Sequence, residues 1–270
     1  DAPFNKQFYK EGDLNSEIAY MGCRTRVVAD VTSPDNQIVT GRGNLSFTTI
    51  NLPRLGIKYG ICLGEREKPD MKGFYEELGE IIDKVRDQLL ERFEVQCNKR
   101  CYNFPFLLGQ GVWTNGEKLK PTDRLRKVWK HGTLSTGFIG LAECLKALTG
   151  KHHGESEESQ KLGLEIIGFM RNKCNENSKK YNLNFTCIAT PAEGLSGRFT
   201  NIDRAIYGKI KGVTDREYYT NSFHVPVYYK ISIHDKLYKE APYHDLTNGG
   251  HISYIEIDGD VASNVDAFES

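Results

Sequence analysis

The sequence predicts an α/β fold in which short parallel strands are covered by longer helices. Three features carry this expectation. Short apolar, β-branched runs alternate along the chain with long segments of helical periodicity. One such run, at 185–189, passes directly into a Gly/Ser/Thr-rich loop and a helix-like stretch, the order found where α/β sheets bind ligands. No internal repeat or low-complexity block interrupts the pattern, so the 270 residues read as one domain, or one large piece of one.

The elements follow in order. The run 45–52 (LSFTTINL) is β-branched and partly alternating, and Pro53 ends it as a strand. Over 73–93, Phe74, Leu78, Ile81, Ile82, Val85, Leu89 and Phe93 recur at helical spacing. A second helix is expected over 135–148, with Ser135 or Thr136 as its N-cap and Gly150 past its end. The polar stretch 151–159 reads as a solvated loop. A third helix, from about 157 to 180, carries Leu162, Ile166, Ile167, Met170 and Cys174 on one side. Residues 185–189 (FTCIA) form a short buried strand, and 251–257 (HISYIEI) alternates like another.

Composition narrows the function classes. Lys plus Arg and Asp plus Glu both count 36, which argues against a polybasic surface for nucleic acid or anionic membrane. No apolar run approaches the roughly 18 residues of a membrane span. Seven scattered cysteines, an odd number, do not make a secreted disulfide framework. Only Cys97 and Cys101 are close, and a lone C-x3-C lacks the second pair that tetrahedral zinc needs. The expected compartment is a reducing cytoplasm. The first residues, Asp1-Ala2-Pro3-Phe4, and the polar stretch after Gly259 both read as the interior of a longer chain.

Three segments offer chemistry. In Met21-Gly22-Cys23-Arg24-Thr25-Arg26, a cysteine follows glycine and precedes two arginines, which suits either an activated thiol on a tight turn or a buried structural one. In Thr190-Pro191-Ala192-Glu193-Gly194-Leu195-Ser196-Gly197-Arg198, the strand-to-helix loop suits either backbone N–H groups cradling phosphate or an ordinary capped turn. It has neither the Walker ending nor the GxGxxG spacing. Finally, His224 and His251 lie in polar clusters at strand ends, as partners for the Cys23 thiol or as structural hydrogen-bonders. Residue chemistry alone leaves each of these alternatives open.

The strings MGCRTRV, GRGNLSFTTINLPRLGI, NFTCIATPAEGLSGRF, GVTDREYYTNSFHVPVYY and NGGHISYIEIDG, in this order, resemble the anaerobic, glycyl-radical ribonucleoside-triphosphate reductases over essentially the whole chain. The resemblance implies part of a ten-stranded α/β barrel, namely the second half together with the finger loop that carries the catalytic cysteine. It assigns the substrate-attacking thiyl to Cys23 and an active-site asparagine to Asn44. It makes Thr190, Ala192, Glu193, Gly194, Leu195 and Ser196 the substrate-phosphate site, mostly through backbone N–H groups, with Glu193 expected to cap the helix N-terminus.

The oxygen-dependent relatives carry a glutamate two residues after the cysteine, where Thr25 stands here. That departure fits formate as the source of both carboxylate and reducing equivalents. The resemblance also implies a glycyl radical, a structural zinc and an allosteric ATP/dNTP cone in parts of the parent enzyme outside 1–270. It further implies a radical-SAM activase and a homodimer, with the isolated fragment inactive. No metal or cofactor is expected within the fragment. Two rival readings are a glycyl-radical enzyme acting on a small acid and a non-catalytic nucleotide-binding module.

Overall fold

In the computed structural model, which describes residues 11–12, 20–22, 24–35 and 37–255, three strands form one parallel sheet. They are β1 (Asn44–Asn51), β2 (Thr133–Ile139) and β3 (Asn184–Ala189), adjacent in that order. Seven α-helices accompany them among the described residues: α1 (Leu52–Tyr59), α2 (Met71–Cys97), α3 (Arg126–Trp129), α4 (Leu141–Thr149), α5 (Glu157–Tyr181), α6 (Glu193–Tyr207) and α7 (Ile233–Leu246). None is long and apolar enough to cross a membrane.

The helices α2 and α5 cover one face of the sheet, and α4 packs against α1 and α5 in the same core. The periodic residues Phe74, Leu78, Ile82, Val85, Leu89 and Phe93 of α2 are all buried there. They meet Ile166, Ile167, Met170 and Cys174 of α5 and Leu134, Phe138, Phe185, Cys187 and Ala189 of the strands. Burying each large side chain contributes roughly 1.5–3 kcal/mol, so this face is the main source of stability. Asp70 starts α2 by accepting from Gly73 N at 2.9 Å, and Ser156 starts α5 by accepting from Ser159 N at 3.1 Å. Each such cap is worth about 1 kcal/mol.

The helix expected over 135–148 is in its first half a strand. Residues 133–139 form β2, buried throughout and hydrogen-bonded on both edges, and the helix begins only at Leu141. A central strand covered on both faces has no polar alternation to announce it. Its β-branched and aromatic residues gain two ladders that outweigh any helical preference. Gly140 in the left-handed region (φ 73°), not Ser135 or Thr136, makes the strand-to-helix turn. Two further differences concern proline and alternation. Pro53 ends β1 by opening α1 at its first turn, where its missing N–H costs nothing. Residues 251–255 are not a strand, and 256–257 lie outside the described residues.

Candidate functional site

The face of the sheet away from α2 and α5 is polar. Along β1, Ser46 and Thr48 turn toward α2, bonding Arg92 and Gln88, and Ile50 joins the core. Strict alternation would send Asn44 the same way. A register shift between Asn44 and Ser46 inserts one extra residue and moves Asn44 to the opposite face. There its Nδ2 donates to Thr133 Oγ1 at 3.1 Å and makes a shorter contact with Ser135 Oγ. Ser135 Oγ lies 2.7 Å from Thr186 Oγ1, so a hydroxyl ladder crosses all three strands. With its amide donors occupied, the Asn44 carboxamide is held in one orientation. Nearer the C-terminal ends of the strands, Thr49 Oγ1 and Thr190 Oγ1 are 3.1 Å apart above Gly137. A Cβ on Gly137 would fall 2.0 Å from that Thr190 hydroxyl.

The chain leaves β3 through Thr190 and enters α6 at Glu193. The N-cap is Ala192, which has no side-chain acceptor, so α6 starts uncapped. Glu193 therefore does not cap the helix; it occupies the first helical position, where a carboxylate still suits the macrodipole. Ser196 N bonds Ala192 O at 3.1 Å and Ser196 Oγ bonds Glu193 O at 2.8 Å, so Ser196 is satisfied within the helix. The N–H groups of residues 193–195 precede the first intrahelical bond. Gly194 is exposed, with no atom within 4 Å of where a Cβ would be. Leu195 packs toward Ile139, Ala192 and Tyr219 and anchors the turn. Asn221 Oδ1 accepts from Ala192 N at 3.1 Å and steadies the loop from the far side.

Cys23 lies outside the described residues; its chain neighbours Gly22 and Arg24 are described. Residues 248–250 extend the sheet from the free edge of β3 toward them. Gly249 N donates to Cys187 O at 2.8 Å, Ala189 N to Gly250 O at 3.0 Å, and Cys187 N to Asn248 Oδ1 at 3.0 Å. On the other side Thr25 bridges Gly250, and Arg26 N donates to Gly249 O at 3.0 Å. The turn closes through Met21 N to Thr25 O at 2.7 Å. The approach needs glycine, because a Cβ on Gly250 (φ 128°) would lie 1.7 Å from Arg24 O. Arg24, 2 % exposed, reaches back with Nη1 to Thr190 O at 3.2 Å. The turn around position 23 and the loop into α6 are thus in direct contact.

The remaining candidates are structural in what they touch. His224 Nδ1 lies 3.3 Å from Glu240 Oε2; burial outweighs that carboxylate and lowers the pKa of the imidazole. His251 bonds Thr247 Oγ1 at 2.9 Å and stacks on His244, with ring centroids 4.0 Å apart. Burial and the neighbouring Arg26 push His251 down to about 3. Burial likewise raises the thiols of Cys97 and Cys174 to about 11 and lifts that of Cys187 well above its ordinary value, which makes them protonated core groups.

Sequence reasoning missed Asp203, fully buried on α6. It accepts from Asn51 Nδ2 at 2.7 Å, Arg54 Nε at 2.6 Å and Tyr219 Oη at 2.8 Å, locking α6 to the end of β1. The only signal for it was its helical spacing from Ser196 and Thr200, which with it make up the buried, polar side of α6. A separate surface groove of about 680 Å3, lined by Leu119, Asp123, Arg124, Arg126, Lys127 and Lys130, shares no residue with this site. Among the described residues no three His, Cys, Asp or Glu side chains gather as metal ligands.

Comparison with known proteins bears on this geometry. Residues 2–270 match the family model described as anaerobic ribonucleoside-triphosphate reductase. The enzyme of that name from Enterobacteria phage T4 is 34% identical over 255 residues, covering 94% of this chain and 39% of the relative. The Salmonella typhimurium enzyme is 34% identical over 239 residues, covering 87% of this chain and 32% of the relative. This chain therefore spans only about a third of the length of these relatives, 32% and 39%. Two structures of the Thermotoga maritima anaerobic ribonucleotide reductase share the fold. The one with citrate in the active site gives a TM-score of 0.59 at 17% identity over 85% of this chain and 38% of that one. The complex with dATP and CTP gives 0.60 at 16% identity over 85% of this chain and 35% of that one. The three-stranded parallel sheet and its helices are part of the α/β barrel of these proteins.

Proposed function

The chain belongs to the anaerobic ribonucleoside-triphosphate reductase family, and we propose that it builds the part of that enzyme's barrel in which the ribose is reduced. The observation that carries the reading is the contact between two segments. The uncapped N-terminus of α6, with free N–H groups at 193–195, suits a substrate polyphosphate. Its loop is bonded through Thr190 O to Arg24, the residue after Cys23. A ligand anchored by phosphate at α6 would extend its ribose over Thr190, Thr49 and the Asn44–Ser135–Thr186 ladder. A substrate that is a small acid has no use for the phosphate end of this arrangement.

In the proposed reaction the Cys23 thiyl takes the 3′-hydrogen of the ribose and the 2′-hydroxyl leaves as water. Formate then supplies the two electrons, so ribonucleotide, formate and a proton give deoxyribonucleotide, carbon dioxide and water. A thiol suits the first step because its S–H bond is close in strength to the ribose C–H bond. Asn44 is the hydrogen-bond partner of the ribose hydroxyls or of formate. Thr25 brings no carboxylate beside Cys23, which is why an external one is needed.

A glycyl radical in the parent enzyme, installed by a radical-SAM activase, supplies the oxidising equivalent at Cys23. We assign that radical, the structural zinc and the effector nucleotides to parts of a homodimeric, cytoplasmic parent that this chain does not span. The isolated chain is then expected to turn over no nucleotide.

The test is anaerobic CTP reduction by the full-length parent carrying Cys23→Ser, with the glycyl radical quantified by EPR in the same sample. A normal radical signal without dCTP supports the assignment. Wild-type turnover overturns it.

A further inference from the structure

One junction joins the cysteine turn, the substrate loop and the 218–227 segment through side-chain chemistry that the reaction itself does not require. The Arg24 guanidinium is its centre. Nη1 donates to Thr190 O at 3.2 Å and to Ser222 Oγ at 3.2 Å, and Nη2 donates to Tyr254 Oη at 2.7 Å. The same guanidinium lies 5.5 Å from the centroid of the Tyr254 ring, within cation–π range. Ser222 Oγ in turn donates to Thr190 O at 3.1 Å, so two donors, Arg24 Nη1 and Ser222 Oγ, converge on the last carbonyl before the Pro191–Ala192 entry to α6.

Two features mark this as a built junction and not incidental packing. Ser222 is one of the non-glycine residues held in the left-handed region, at φ 48°. Such a conformation is strained for a residue with a side chain and persists only when the surroundings enforce it. Its gain here is a fully buried hydroxyl shared between Arg24 and Thr190. The neighbouring Asn221 side chain accepts from Ala192 N, so residues 221 and 222 hold both flanks of Pro191. A guanidinium is also the one side chain with a planar fork of donors able to serve three acceptors at fixed angles.

We propose that Arg24 is a positioning residue that fixes the height of the cysteine turn relative to the phosphate loop, with Ser222 and Tyr254 as its anchors. Binding and chemistry then depend on Arg24 differently. The phosphate donors belong to the backbone at 193–195 and remain in place without it. The thiol-to-ribose distance does not. Misplacement by about 1 Å costs on the order of 100-fold in rate. This inference rests on the reading of Cys23 as the thiyl residue.

The experiment uses the full-length parent in four forms, Arg24→Lys, Ser222→Ala, Tyr254→Phe and Cys23→Ser, each assayed for radical content by EPR, CTP affinity and anaerobic turnover. Arg24→Lys keeps the charge but loses the fork. Its expected result is normal radical content and CTP affinity with kcat lowered about 10-fold or more. Ser222→Ala and Tyr254→Phe each remove one acceptor, with an expected loss in kcat of about 2- to 10-fold at unchanged KM. A purely structural role would lower affinity, radical content and kcat together, and that pattern overturns the proposal. Should Arg24→Lys fail to fold, the Ser222 and Tyr254 variants decide alone. Wild-type kcat in both, beside an inactive Cys23→Ser, sinks the inference and leaves the thiyl assignment intact. Turnover by Cys23→Ser sinks the assignment itself.

Discussion

Gly250→Ala is the most informative single-atom perturbation. Gly250 is inserted between β3 and the turn around position 23, pairing with Ile188 on one side and Thr25 on the other. An added Cβ would meet Arg24 O at 1.7 Å, Arg24 C at 2.6 Å and Thr25 Cα at 2.8 Å, all backbone atoms that no rotamer change can move. Restoring an ordinary carbon–oxygen approach of about 3.3 Å displaces that carbonyl by about 1.6 Å. The φ of 128° adds strain of roughly 1–3 kcal/mol for any residue with a side chain. The displaced group belongs to the residue bonded to Cys23.

If a 1 Å misplacement costs about 100-fold, kcat should fall by at least that factor, about 2.7 kcal/mol of barrier. The assay is anaerobic CTP reduction by the full-length parent, normalised to its EPR-quantified glycyl radical. Gly168→Ala in α5 is the control: no atom lies within 4 Å of the new Cβ, so it should leave activity unchanged and stabilise by about 0.4–1 kcal/mol. Wild-type kcat in Gly250→Ala would refute the reasoning, because the strap would then not govern where the turn sits.

Two further outcomes follow from buried polar groups. Asp203→Ala strips three donors of their acceptor and should destabilise the parent by about 2–4 kcal/mol, read from its urea midpoint, and loosen the start of α6 in hydrogen exchange. His153 and His251 are held neutral, burial pushing each from 6.5 to about 3. Their folded-state values lie below the unfolded ones, so their full stability is present above about pH 6.5 and is lost as pH falls toward 3. Each imidazole contributes a slope of about 1.4 kcal/mol per pH unit in that window. Hydrogen exchange of peptides spanning 223–225 and 247–251 should show opening grow easier on acidification from pH 6.5 to 5, and a flat profile would contradict it.

Much of the helical layer was legible in the sequence because its signal is local. The spacing of Phe74 to Phe93 and of Ile166 to Cys174 predicts α2 and α5, and both faces are buried as expected. β1 and β3 were legible for the same reason, as short β-branched runs. β2 was not: its residues 135–139 read as the start of a helix, and only pairing with a strand on each edge, far away in the chain, decided otherwise. The helix α7 was hidden by Pro242 inside it.

The site divides along the same line. The types and order of its segments, a Gly-Cys-Arg turn, a strand-to-helix loop rich in small residues and an Asn-Gly-Gly stretch, are properties of the sequence by itself. That Asn44 faces the hydroxyl ladder is not, since it depends on an inserted residue that reverses the alternation of β1. Nor is the meeting of Arg24 with Thr190 and Ser222, separated from it by 166 and 198 positions. Periodicity, capping and glycine usage act over a few residues, so sequence alone determines which elements form and what chemistry they carry. Which side chains meet is decided by long-range packing, where a one-residue shift in register or one missing Cβ changes the partner.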